Sequence, residues 1–231
     1  MSHPAPAADR SRRTPALGVT ALCAALFALL AVGVAARHGA PFPLDRSALT
    51  WSLGHRPAGA LTPARVVTAS GTGPYPYLCA IGAGLIAGHD LRHRLSAAAG
   101  ALAFLVVGQA VRYAVLHAIG RPRPAMADWA THASGFAYPS GHATTSALVA
   151  GLLVWALARR SRTAATRALC ALIVCWAVAV GLSRIYLGVH WVSDVLGGWL
   201  YAATLLGLGA VLIPTGRLLP HDVSGGRRGE R

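Results

Sequence analysis

The chain contains no lysine, and its basic side chains are 21 arginines set against seven acidic residues. Only 12% of its 231 residues are charged, whereas a soluble domain carries about a quarter. That shortage excludes an ordinary water-soluble globule. The four cysteines, Cys23, Cys79, Cys170 and Cys175, all sit inside apolar runs. They have neither metal-ligand spacing nor the pattern of a disulfide framework, and they read as small buried hydrophobes. No internal repeat and no second domain is visible.

What the chain does have is apolar length. It is 55% hydrophobic, and several of its runs approach the roughly 20 residues that cross a bilayer as helix. Backbone polar groups in lipid must be satisfied within the segment, which selects helices. The expectation is an all-α, six-transmembrane helical bundle over residues 16–213, with spans near 16–36, 75–88, 95–119, 140–157, 168–187 and 192–213. The first run exceeds the 7–15 apolar residues of a signal peptide core and reads as an uncleaved span. Residues 1–15, rich in Pro, Ala and Arg, are expected to be disordered, and 214–231 form a basic tail. Residues 37–72 read as an interfacial loop with a short amphipathic piece near 44–53.

A net charge of +14 raises the question of nucleic acid. The arginines fall instead in short clusters between apolar runs, which is the pattern of topology signals, so no nucleic acid partner is expected. The N-terminus, the 89–94 turn, the 159–167 turn and the tail are arginine-rich, and six spans put all four on one side. That side is the cytoplasm by the positive-inside rule. The protein is therefore expected in the cell membrane with both termini cytoplasmic. Residues 121–142 and 184–190 then share the extracytoplasmic face, although His142 and His190 stand far apart in sequence.

Three blocks on that face carry chemistry. In Ser183-Arg184, followed by His190 and Asp194, the last two are four apart and share a face if helical. A carboxylate there accepts the proton of one imidazole nitrogen and frees the other as a nucleophile. Arg184 offers a planar fork suited to phosphate oxygens. Pro139-Ser140-Gly141-His142 opens a helix, where Ser caps and the first amides form an anion site. His142 stands beside that site, placed to protonate a leaving oxygen. Arg121 and Arg123, on a Pro-stiffened segment, add cations against the positive-inside trend. Taken singly, each block also fits a blander role: an idle His–Asp pair, a capped helix start, juxtamembrane arginines.

In this order the blocks resemble the type 2 phosphatidic acid phosphatase family, which shares its site with vanadium haloperoxidases and bacterial acid phosphatases. The family pattern is a Lys, six residues, an Arg-Pro, then Pro-Ser-Gly-His, then Ser-Arg, five residues, His, three residues, Asp. The second and third blocks match at every defined position, and the resemblance covers roughly residues 40–213. It implies that His190 attacks phosphorus to form a phosphohistidine, Asp194 orients it, and His142 protonates the leaving group and then activates water. It implies that Arg123, Arg184, Ser140 and the Gly141 amide bind the phosphoryl oxygens, with no metal and no cofactor needed.

One position departs from the pattern. The family Lys falls on Leu116, which cannot bind phosphate. Arg112, one helical turn away on the same face, is the candidate to fill the vacancy. His117 and Arg121 are weaker substitutes, and a site with one cation fewer is the alternative. The expected substrate is a lipid phosphate at the outer leaflet, among them polyprenyl diphosphate, phosphatidic acid and phosphatidylglycerol phosphate, with a mild lean to the first by analogy. Transfer to another acceptor, a soluble ester, and a non-catalytic lipid-binding or transport relative remain competing readings. Oligomeric state is not legible.

His38, His55, His89, His93 and His132 read as solvated loop residues, and Gly84 and Gly88 as small residues allowing close helix packing. Trp191 and Trp199 read as interfacial or packing aromatics.

Overall fold

The computed structural model describes residues 7–212, with side chains from residue 15. All regular structure among these residues is helical. The elements are α1 (Ala7–Ala36), α2 (Pro43–Gly54), α3 (Ala58–Ser70), α4 (Tyr75–Ala87), α5 (Leu91–Ile119), α6 (Gly141–Arg160), α7 (Ala164–Tyr186) and α8 (Val192–Leu212), with a single 3-10 turn at Met126–Asp128.

Five helices, α1 from Pro15 onward and α5 to α8, are long and apolar enough to cross a membrane. The second expected span is the shorter α4, whose 13 residues rise about 20 Å against a hydrocarbon core of about 30 Å. The described part of α1 begins at Ala7. Residues 1–6 and the expected basic tail lie outside the described residues.

The segment 37–72 holds more order than its Pro and Gly content suggested. Its amphipathic piece is α2, started by Pro43 at the first helical position and by Asp45, whose carboxylate accepts from Phe42 N at 3.0 Å. A second helix, α3, follows Pro57. Proline at a helix start costs no hydrogen bond, because that amide has no partner in any case.

α6 is the hub, packing on α4, α7 and α8, while α1 lies along α8 and α5 along α4. The core gathers Ala80, Leu105, Leu148, Val149 and Ala202. Gly84 and Gly88 press so closely on the backbone of Ala98 and Arg94 that any side chain would collide, as their spacing led one to expect.

Two sets of ties define the bundle's ends. At one, Arg160 donates to the carbonyls of Ile86 and Gly88, holding the α4–α5 turn against the end of α6. At the other, Ser140 N donates to Asp194 O at 3.0 Å and Ala137 N to Arg121 O at 2.8 Å. The start of α6, the start of α8 and the segment after α5 therefore meet.

Candidate active site

The loop between α7 and α8 presents His190. Leu187 N and Val189 N turn back onto Ser183 O and Arg184 O, and Gly188 takes a φ of 71° that a side chain would strain. A Cβ at Gly188 would also meet Asp128 O, because the 3-10 turn packs directly against this loop. His190 precedes α8, so its meeting with Asp194 is made by a helix start and not, as expected, by two residues on one helical face. Asp194 Oδ2 accepts from Trp191 N at 2.9 Å and lies 3.3 Å from His190 Nδ1.

The opposite ring nitrogen, Nε2, lies 2.7 Å from Arg123 Nη1. A guanidinium only donates, so Nε2 carries the lone pair and the ring proton sits on Nδ1, toward Asp194. Arg123 is itself held by the carbonyls of Val189, Ser134 and Gly135 at 2.8, 2.8 and 3.0 Å. Burial, followed by the Arg123, Arg184 and Arg112 charges, holds the His190 imidazole well below its ordinary value. Burial also draws the Arg123 guanidinium down from its ordinary value, although a guanidinium stays charged in protein.

His190 and Arg123 open onto a cavity of about 840 Å³ that His142, Gly141, Arg184 and Arg112 also line. Arg184, in the last turn of α7, donates to Thr68 Oγ1 of α3 at 3.0 Å, while its buried Nε has no protein partner. The structure thus brings His142 and His190 to one space at one end of the bundle with Arg112, Arg123 and Arg184, and Arg65 of α3 lines it as well.

Arg112 reaches this space. Its Nε donates to Gln109 Oε1 at 2.8 Å and its Nη1 contacts Pro139 O at 3.4 Å. Its Cζ lies 3.4 Å from where a Cβ on Gly141 would stand. Leu116, at the family Lys position, lines the same cavity without a charge. Gln109 is fixed in turn by donating to Thr145 Oγ1 at 2.8 Å, and that hydroxyl donates to Gly141 O at 2.7 Å.

Two expected positions fall elsewhere. Ser140 is fully buried and is not among the cavity-lining residues; its amide is tied to Asp194 O and its Oγ has no partner. Gly198 of α8 packs against the Ser140 carbonyl. Arg121 is not among the cavity-lining residues either. It is wholly buried, and its fork joins Asp45 Oδ2 at 2.8 Å to Asp194 Oδ1 at 2.6 Å. Asp45 and Ser193, which complete this network, are residues that sequence reasoning missed. The available signal was an acid in an otherwise apolar chain that has only seven.

His132, expected on a solvated loop, lines the cavity together with His117. Trp191 and Trp199 are packing residues, the first donating to Pro122 O at 3.0 Å and the second lying on Gly181. Among the described residues, the side chains that gather metal-ligating atoms are His89, Asp90 and His93. They lie at the Arg160 end and belong to no part of this cavity.

Known proteins resemble this chain in sequence and in fold. The sequence model of the PAP2 superfamily matches residues 96–217, more than half of the chain. Phosphatidylglycerophosphatase B of Bacillus subtilis (strain 168) is 39% identical over 83 residues, which is 35% of this chain and 40% of that relative. The chain therefore aligns with less than half the length of that curated relative. The crystal structure of a transmembrane PAP2 type phosphatidylglycerolphosphate phosphatase from Bacillus subtilis superposes with a TM-score of 0.68 at 25% identity, covering 82% of this chain and 92% of that one.

Proposed function

This chain belongs to the PAP2 superfamily, and from that premise we propose that it is an integral membrane phosphatase that hydrolyses a lipid phosphate through a phosphohistidine. The observation that carries the reading is the ring of His190, without a proton at Nε2, held between Arg123 at that nitrogen and Asp194 at Nδ1, on a cavity that His142 shares.

The chemistry balances in two steps. The Nε2 lone pair attacks phosphorus while the bond from phosphorus to the lipid oxygen breaks, and His142 delivers a proton to that oxygen. Water then attacks the phosphohistidine, gives its proton to His142, and the phosphorus–nitrogen bond breaks to release phosphate and restore His190. Arg123, Arg184 and Arg112 stabilise the charge on the equatorial oxygens, with the Gly141 amide at the start of α6. Three fixed guanidiniums supply the positive charge this transfer needs, so the reading includes no metal. The Ser140 amide ties the start of α6 to the Asp194 carbonyl.

A lipid substrate fits a cavity at one end of a bundle of apolar helices. The similarity in sequence and in fold to phosphatidylglycerophosphate phosphatase of Bacillus subtilis makes phosphatidylglycerol phosphate the first substrate to offer, with polyprenyl diphosphate and phosphatidic acid beside it. The arginine distribution supports a cavity open to the extracytoplasmic side.

The test is phosphate release by the detergent-purified protein in EDTA, from a panel of these three lipids, for wild type and His190→Ala. Release that is vanadate-sensitive and lost in the variant supports the reading. No release from any lipid phosphate would overturn it.

A further inference from the structure

Asp45 is 2% exposed and lies on α2, a helix that contributes no residue to the cavity. Its carboxylate accepts from Phe42 N at 3.0 Å, Ser193 N at 2.9 Å and Arg121 Nη2 at 2.8 Å. Ser193 Oγ adds contacts of 2.9 and 2.7 Å to its two oxygens, and accepts from Arg121 Nη1 at 2.7 Å. The same Nη1 donates to Asp194 Oδ1 at 2.6 Å, and Arg121 Nε to Gly39 O at 3.2 Å. Two carboxylates thus share one guanidinium behind the histidine.

We propose that Asp45 is a positioning residue for His190, acting through Arg121, Ser193 and Asp194 to keep a net negative charge behind the imidazole. Capping α2 needs one acceptor for Phe42 N, which a neutral side chain would supply. It does not call for a second buried carboxylate on an arginine that Asp194 already engages. Arg121 and Asp194 alone would form a neutral pair, leaving little field for the ring. With Asp45 the group carries one negative charge, and in a buried setting such charges act strongly.

That charge matters because the ring turns cationic as Nε2 bonds to phosphorus while Nδ1 keeps its proton. The groups facing His190 are Arg123 from the α5–α6 connection, Arg184 from α7, Arg112 from α5, His142 from α6 and Asp194 from α8. Three are permanent cations on the substrate side. The carboxylate pair is the counterweight that keeps His190 basic enough to attack.

This inference rests on the phosphohistidine reading, and its test has a readout that does not need turnover. Asp45→Asn keeps the shape and removes the charge. The variant is expected to lose about tenfold in kcat, the lower end of what outer partners of metal-bound histidines contribute, with KM nearly unchanged. The acid limb of kcat/KM is expected to move down by about one pH unit, the equivalent of about 1.4 kcal/mol of differential charge interaction. The pH dependence of His190 carbethoxylation by diethyl pyrocarbonate, read by peptide mass mapping, is expected to move equally.

A folded Asp45→Asn protein with wild-type kcat and an unmoved modification profile would overturn the proposal. If Asp45→Asn does not fold, Ser193→Ala removes a bridging hydroxyl without changing charge. It is expected to shift the profile in the same direction by less, and an unmoved profile there is equally decisive against it. Should the wild type hydrolyse no lipid phosphate, the modification profile still decides the role of Asp45, so the two readings fail separately.

Discussion

Arg123 Nη1 stands 2.7 Å from His190 Nε2, so one guanidinium both fixes the tautomer of that imidazole and borders the cavity that His142 shares. Losing one preorganised donor of this kind costs about 10²–10³ in rate. Arg123→Ala is expected to lower kcat/KM by that amount in the phosphate-release assay. Arg123→Lys is expected to recover little, since a single ammonium cannot hold Val189 O, Ser134 O, Gly135 O and the ring together.

Arg112 is expected to supply the charge that Leu116 does not. A hydrogen bond to a charged group is worth about 1.5–3 kcal/mol, so Arg112→Ala should reduce kcat/KM by about 10- to 150-fold. Adding Leu116→Lys to that variant should restore part of the loss. Full activity in Arg112→Ala would remove Arg112 from the site.

Arg121 is expected to matter for folding more than for phosphate affinity. Arg121→Met leaves the buried carboxylates of Asp45 and Asp194 without their shared partner. Breaking a buried pair from one side costs about 3–5 kcal/mol. A drop in thermal midpoint in detergent checks this, and an unchanged midpoint would contradict the network.

Gly188→Ala is expected to disturb the loop that carries His190. The position has a φ of 71° and its Cβ would meet Asp128 O. Such strain costs about 1–3 kcal/mol, and activity should fall with stability, measured by thermal midpoint and turnover together.

The pH dependence follows from the environment of His190. Its value lies well below the ordinary 6.5, so the folded ring stays neutral where an unfolded one would take a proton. The Nε2 lone pair should therefore remain available as pH falls through 6.5. Stability should decline over that same interval, because the unfolded state binds more protons there. Carbethoxylation of His190 across pH, beside thermal midpoints, tests both signs.

The spans, the turns and the blocks around His142 and His190 were legible because apolar length and residue spacing are local properties. Lipid forces any such run to satisfy its own backbone, so helices could be expected without knowing their neighbours. Leu116 and Arg112 were readable for the same reason, since helical periodicity places them on one face. The short reach of α4 and the helices within 37–72 were harder, because Pro and Gly mark a helix start as readily as a loop.

Only the tertiary structure decided which arginine faces the cavity. Arg121 and Arg123 are two residues apart on a Pro-stiffened, extended segment, so their side chains diverge, one into a buried pair of carboxylates and the other to the ring of His190. Ser140 turned inward, and Asp45 joined Asp194 from far along the chain, for the same reason. Long-range packing sets where a side chain ends, and no local pattern encodes it.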